Sequence, residues 1–191
     1  VYGAAEESDV DFYPLWPLLK GRTSYAKDGR NEQELQCSRK EIGQSAYRLS
    51  PGMMLFTCHH GQPYGFTILK MGESPRHVFD VLLCRFPSAQ LPSTVIYDNG
   101  CRLSAYCMAR EPTHFANVRF MVDRFHHYNH RGCSHSLRLR SYEANPAFRL
   151  LNSQSAEQLN SQIRHIGNIL PFMSFAKYFK SMSLFLSYRR K

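Results

Sequence analysis

The chain has 191 residues, of which 43% are hydrophobic and 13% aromatic, and it carries a formal charge of +9 with a pI near 9.4. That size and apolar content suit one globular domain with a sizeable core and exclude a disordered segment. No apolar run approaches the ~20 residues of a membrane-spanning helix, so no membrane partner is expected.

The excess of Lys and Arg favours a polyanionic partner, with DNA the expectation on charge alone. The charge is uneven. Glu6, Glu7, Asp9 and Asp11 make an acidic start, Arg119, Arg124, Arg131, Arg138 and Arg140 crowd the middle, and Arg189, Arg190 and Lys191 load the end. These eight basic residues are the candidate nucleic-acid contacts, because arginine beside aromatic side chains suits phosphate and base contact. The 6 cysteines permit disulfides, but 9 histidines accompany them and no secretory signal is visible, so a reducing compartment with free or metal-bound thiols is the better reading. The chain opens at Val1 rather than at a methionine, as expected of a segment of a longer protein.

Residues 1–36 are polar and irregular and are expected to form an arm, with Phe12 to Leu19 packing through its apolar side chains. Ser50-Pro51-Gly52 is a turn signal, after which Met53 to Cys58 reads as a buried strand. His59 to Pro63 turns the chain, and Tyr64 to Lys70 returns as a second strand. Ser74 and Pro75 open a helix as N-cap and first helical residue, with Val78, Val81, Leu82 and Phe86 at the helical period and Pro87 beyond its end. Thr94 to Tyr97 is a short strand that delivers Asp98, and a helix over about Cys101 to Met108 follows. A strand within Phe115 to Val122 delivers Asp123, and the His/Cys segment after it is a loop or short helix. Asn152 and Ser153 cap a helix that carries Glu157, and a last helix runs from about Phe172 to Tyr188. Hairpin, helix, strand, helix, strand and further helices make a mixed α/β domain.

The most informative stretches are Tyr97 to Cys101 and Val122 to Cys133, because each sets an acid at the end of a β-like run close to metal-grade Cys or His side chains. Cys58 and His60, paired with His130 and Cys133, would make a tetrahedral S2N2 set of the kind zinc closes as a structural site, with Cys37 and His126 as substitutes. Separately, Asp98, Asp123 and Glu157 could converge as a carboxylate cluster holding Mg2+ or Mn2+ for phosphodiester chemistry. Asp98 before Asn99-Gly100 is equally a turn former, and isolated acids at strand ends often cap the next helix.

Several short motifs carry a resemblance. Cys58-x-His60-Gly61, Glu73-Ser74-Pro75-Arg76, Tyr97-Asp98-Asn99-Gly100-Cys101, Arg110-Glu111-Pro112, Val122-Asp123-Arg124-Phe125-His126, Asn129-His130-x-x-Cys133 and Asn152-Ser153-Gln154-x-x-Glu157-Gln158-x-Asn160-Ser161 stand in this order. Over residues 37–188 the chain resembles the Kyakuja-Dileera-Zisupton (KDZ) transposases, closest to Zisupton-like and host-domesticated members such as the transposase-derived region of a vertebrate HMG-box protein. The resemblance implies an RNase H-like mixed sheet flanked by helices over 37–191, with an inserted Cys/His zinc element and an acidic site of the Asp-Asp-Glu type. Asp98 suits the second acid of that site and Glu157 the third. Where the first acid is expected, at the end of the first visible strand, stands Cys58. A thiolate there suits zinc rather than two hard Mg2+ ions.

The expectation that follows is a transposase-derived, zinc-stabilised, nuclear domain that binds DNA or associates with chromatin proteins and is catalytically inactive. Cys58, His60, His130 and Cys133 would hold Zn2+. The alternatives are an active Mg2+- or Mn2+-dependent transposase or nuclease using Asp98, Glu157 and Asp123, and a protein-binding scaffold whose charge is incidental.

Overall fold

The computed structural model describes residues 13, 52–69, 73–130 and 133–189. The expected arm (Tyr13 apart), the Ser50-Pro51 turn signal, Cys37, Arg131, Arg190 and Lys191 lie outside the described residues. The fold is mixed α/β, and the described strands make two two-stranded sheets. The described residues fall into two compact units, one spanning Ser74–Arg149 and the other combining Tyr13 with 52–69, Glu73 and 150–189.

In the second of these units, β1 (Gly52–Thr57) and β2 (Pro63–Leu69) pair as an antiparallel hairpin. The turn between them closes through Cys58 N–H to the Gln62 carbonyl at 2.9 Å and Gly61 N–H to the Cys58 carbonyl at 3.0 Å. Gly61 sits at φ +80°, a conformation that a side chain would strain. Cys58 therefore lies one residue past the strand, in the turn. Tyr13 adds to the sheet by exchanging backbone hydrogen bonds with Phe66 at 3.0 and 2.9 Å, and its ring packs near Phe66 and Phe179.

Two later helices cover the hairpin. In α5 (Ser155–Gly167) the buried residues Ser155, Leu159 and Ile163 recur every four positions, and in α6 (Phe175–Arg189) Tyr178, Met182 and Leu186 do the same. The apolar ones among them build one core with Phe66, Ile68 and Leu170. Thr57 Oγ1 and Ser155 Oγ, 2.8 Å apart, join the end of β1 to the start of α5. Of the phenylalanines in and just before this last helix, Phe179 and Phe185 are half-buried against this core, whereas Phe172 and Phe175 are exposed.

The other unit is built around a β–α–β crossover. Its first helix, α1 (Pro75–Arg85), starts where Ser74 and Pro75 predict, with extended backbone at Ser74 and the Ser74 N–H donated to His77 Nδ1 at 3.3 Å. It stops at Phe86, held extended before Pro87. β3 (Thr94–Ile96) then leads into α2 (Gly100–Arg110), a short α3 (Pro112–Phe115) and β4 (Arg119–Met121). The strand expected within 115–122 is thus found at Arg119–Met121, after Phe115 closes a helical turn opened by Pro112. A further short helix, α4 (Pro146–Arg149), ends the unit.

β3 and β4 pair in parallel, with Thr94 opposite Arg119, Val95 opposite Phe120 and Ile96 opposite Met121. Parallel neighbours need a crossover, which α2 and α3 supply. The core beneath comprises Phe79, Leu82 and Cys84 of α1, Leu103 and Cys107 of α2, and Phe115, Phe120 and Met121. Rings of Phe79, Phe115 and Phe120 meet in sequence at 5.7 and 5.9 Å. Removing each large side chain from water contributes about 1.5–3 kcal/mol.

The tightest packing in this unit is between backbones. A Cβ placed on Gly100 would meet the Met121 carbonyl oxygen at 2.4 Å and its carbon at 2.6 Å. That oxygen already accepts the Tyr97 N–H at 3.0 Å, so it is not free to withdraw. Gly100→Ala is expected to lower stability by about 1–3 kcal/mol through overpacking. The shift in urea midpoint measures it, and a wild-type midpoint in the variant would refute the contact.

Candidate metal centre

Because β3 and β4 run parallel, the segments that leave their C-terminal ends emerge at one edge. From β3 come Tyr97 to Cys101, and from β4 come Val122 to Cys133. Cys101 is the second residue of α2, where the positive end of the helix dipole favours an anionic sulfur. His130 ends a 3₁₀ turn over His126–Asn129, and Cys133 follows three residues on.

Cys101, His130 and Cys133 converge there, their ligand atoms all within 4.8 Å of one another. Both Cys101 Sγ and Cys133 Sγ lie 3.4 Å from His130 Nδ1. One ring nitrogen has one lone pair or one proton, so it cannot serve two thiols fully as a hydrogen-bond partner. A single cation would serve all three atoms. Zn–S of about 2.3 Å and Zn–N of about 2.0 Å at a tetrahedral angle place S and N about 3.5 Å apart, which matches. The group could hold a metal ion.

His130 is prepared for that role. Its ring is buried and hydrogen-bonds the Asp98 backbone, the kind of outer contact that orients a ligating histidine and leaves its other nitrogen a lone pair. Burial lowers its pKa, helped by the charges of His126 and Arg138 and opposed by Asp123 and the bond to Asp98. The backbone around it is clamped as well. Arg138 donates from one guanidinium nitrogen to the carbonyls of His130 at 2.8 Å and Cys133 at 3.1 Å.

Asp123 is committed to the same loop. Its Oδ1 accepts the N–H groups of Phe125 at 2.6 Å and His126 at 3.0 Å, and its Oδ2 lies 2.7 Å from His126 Nδ1. It caps the turn that ends at His130. Asp98 Oδ1 accepts the Asn99 N–H at 2.7 Å. Glu157 is exposed in the first turn of α5, in the other unit. Among the described residues, no carboxylate belongs to a group of three ligand-type side chains.

Of the residues proposed for zinc, His130 and Cys133 are brought together, and the third member of their group is Cys101. Cys58 and His60 belong to the other unit, where Cys58 Sγ and His60 Nδ1 are 3.9 Å apart at the hairpin turn. Cys101 was the residue that spacing passed over. The signal that could have found it was parallel pairing, which carries Asp98-Asn99-Gly100-Cys101 to the edge used by the His/Cys loop.

The basic residues divide by use. Arg124 bonds Glu143 Oε1 at 2.9 Å and the carbonyls of Phe148 and Arg149 at 2.6 and 3.1 Å. With Arg138 it holds backbone in place. Arg119 and Arg140 are exposed, Arg119 over the rings of Tyr142 and Phe148 and Arg140 beside Tyr128. Arg189 is exposed near Phe185.

Thiol chemistry separates the cysteines. Burial pushes the Cys107 thiol up to about 12, although the Arg110 charge pulls it back in part. Cys107 and the equally buried Cys84 are expected to resist iodoacetamide at pH ~8, because the thiolate is the nucleophile. Cys101 and Cys133 should be alkylated after chelation and protected by added Zn2+; mass-spectrometric mapping reads this, and labelling indifferent to zinc would count against the centre. The fold favours neutral His130, so its folded pKa lies below the ordinary 6.5. Its contribution to stability is complete above that value and is lost as pH falls through the lower folded one. Thermal melts of chelated protein at falling pH should show this loss, and it should be smaller in His130→Gln.

No family model matches the chain, and neither a curated protein nor a solved structure matches it.

Proposed function

We propose that this chain is a transposase-derived, RNase H-like domain that holds a structural zinc ion at Cys101, His130 and Cys133 and binds DNA as a nuclear, chromatin-associated protein without cutting it. The observation that carries the reading is the convergence of two sulfurs on one imidazole nitrogen at the C-terminal edge of β3 and β4. Thiolates with imidazole are a zinc ligand set, whereas hard Mg2+ or Mn2+ wants oxygen. A structural zinc is four-coordinate, and the described residues supply three donors.

Loss of cleavage is supported by how the acids are used. A Mg2+ ion at Asp123 would have to displace the two N–H groups and the histidine that its carboxylate already serves. The ancestry rests on the motif resemblance, with the parallel β3–α2–β4 crossover as the piece of an α/β core that carries Asp98 at a strand tip. DNA binding is supported by the charge of +9 and by exposed arginines seated on aromatic rings.

Purified protein should contain zinc at about one equivalent per chain by mass spectrometry. Cys101→Ser and Cys133→Ser should each lose the ion and melt at lower temperature, because metal-binding energy is folding energy in such sites. Full zinc retention in both variants would overturn the centre. DNA affinity should fall steeply with salt as condensed counterions lose their advantage. Cleavage of DNA with Mg2+ or Mn2+, abolished by Asp98→Ala, would overturn the inactive reading.

A further inference from the structure

The 3₁₀ turn that ends at His130 carries two large rings outward. Phe125 is 65% exposed and Tyr128 is 66% exposed. They stand three residues apart, Phe125 capping the turn and Tyr128 within it, a spacing at which side chains on 3₁₀ backbone share a side.

Neither ring is loose. Phe125 meets the His126 ring edge-on at 5.1 Å, and His126 is held by Asp123 at 2.7 Å. Tyr128 lies against the buried His127 ring at 3.8 Å, and His127 Nδ1–H donates to the Arg124 carbonyl at 2.6 Å. Each exposed aromatic therefore leans on a histidine fixed by a hydrogen bond. Arg140 stands at the rim and donates to the Tyr128 hydroxyl at 2.6 Å.

We infer that Phe125 and Tyr128 form a stacking platform for unpaired bases of single-stranded nucleic acid, with Arg140 placed for the phosphate between them. The inference rests on the nucleic-acid reading above and names the class of strand. Base–aromatic stacking with neighbouring cations is how single strands are bound without regard to sequence. A duplex hides its base faces and offers edges in its grooves, which two outward rings on one short turn do not read. Protein-binding hot spots centre aromatics in a well-packed, desolvated patch. These two rings are flanked instead by histidines, the exposed Asn129 and a guanidinium. Rings held before binding lose little freedom on stacking.

The test uses fluorescence anisotropy of the zinc-loaded protein with labelled single-stranded DNA, single-stranded RNA and duplex DNA of one length, at ~100 mM salt. Either single strand should bind at least about tenfold tighter than duplex. Phe125→Ala and Tyr128→Ala should each weaken single-strand binding by about 5- to 150-fold, the range of losing one stacked base. Tyr128→Phe, which keeps the ring, should retain most of it. Should an alanine variant fold poorly, ultraviolet crosslinking of the wild-type complex with peptide mapping supplies the answer, with adducts expected at Phe125 or Tyr128. Equal duplex and single-strand affinity, indifferent to both alanines, would overturn the platform and leave the DNA-binding reading standing. Absence of binding to all three probes at low salt would remove both and assign the rings to a protein contact.

Discussion

The constraint on which the candidate site depends is the contact of Gly100 with the Met121–Val122 backbone. No side chain larger than hydrogen fits between them, and the Met121 carbonyl is simultaneously the acceptor for Tyr97 N–H. The same carbonyl thus ties the chain leaving β3 to the end of β4 and sets the first residue of α2 against it. Cys101 comes next in the chain, so its position over the shared strand edge follows from a glycine. A helix start displaced to admit a methyl group would carry the sulfur with it, and a ligand shifted by a fraction of an ångström is a different coordination site.

The second half of the centre is held by different means. Val122 donates to the Leu137 carbonyl at 2.7 Å and accepts from Leu139 at 3.0 Å, so the loop between them is closed at its base by backbone bonds. Within it, Asp123 gathers the start of the turn and Arg138 gathers the carbonyls of His130 and Cys133. Hydrogen bonds to charged groups contribute about 1.5–3 kcal/mol each, which lets a segment with little apolar content keep one shape. Arg138 and Arg124 therefore serve the fold. A basic sequence overstates the charge free for phosphate when some of its arginines bond carbonyls of their own chain.

Much of the architecture was legible because its signals are local. Pro75 after Ser74 marks a helix start and Pro87 lies just past its end, and both signals are read from neighbouring residues alone. The hairpin was readable from its turn residues. The exact start of β4 was less so, because the stretch within which it was expected also holds the end of the Pro112–Phe115 turn, which propensity alone does not divide. The metal group was half legible: His130-x-x-Cys133 is a local spacing, while the partner of such a pair comes from elsewhere in the chain. Joining Cys101 to that pair requires knowing which strands are neighbours and in which direction they run. Periodicity carries no such information, since β3 and β4 are three residues each and separated by two helices.

In the proposed reading, the metal centre and the exposed rings are one device. The turn from Phe125 to Asn129 has an anchor at each end, Asp123 before it and His130 after it. An ion at His130 would fix the second anchor to Cys101 and hence to α2, leaving the turn no freedom to unwind. A ligand that stacks on Phe125 and Tyr128 would then meet rings already oriented, and the ordering cost would have been met at folding rather than at binding. The coupling has a direction: removing the metal should loosen the turn before it disturbs the Phe79–Phe115–Phe120 core, because that core is built from elements outside the loop. Soft donors at this strand edge thus need no catalytic purpose to be useful. With an ion bound, they would convert a short polar loop, which burial alone would not hold, into a rigid surface.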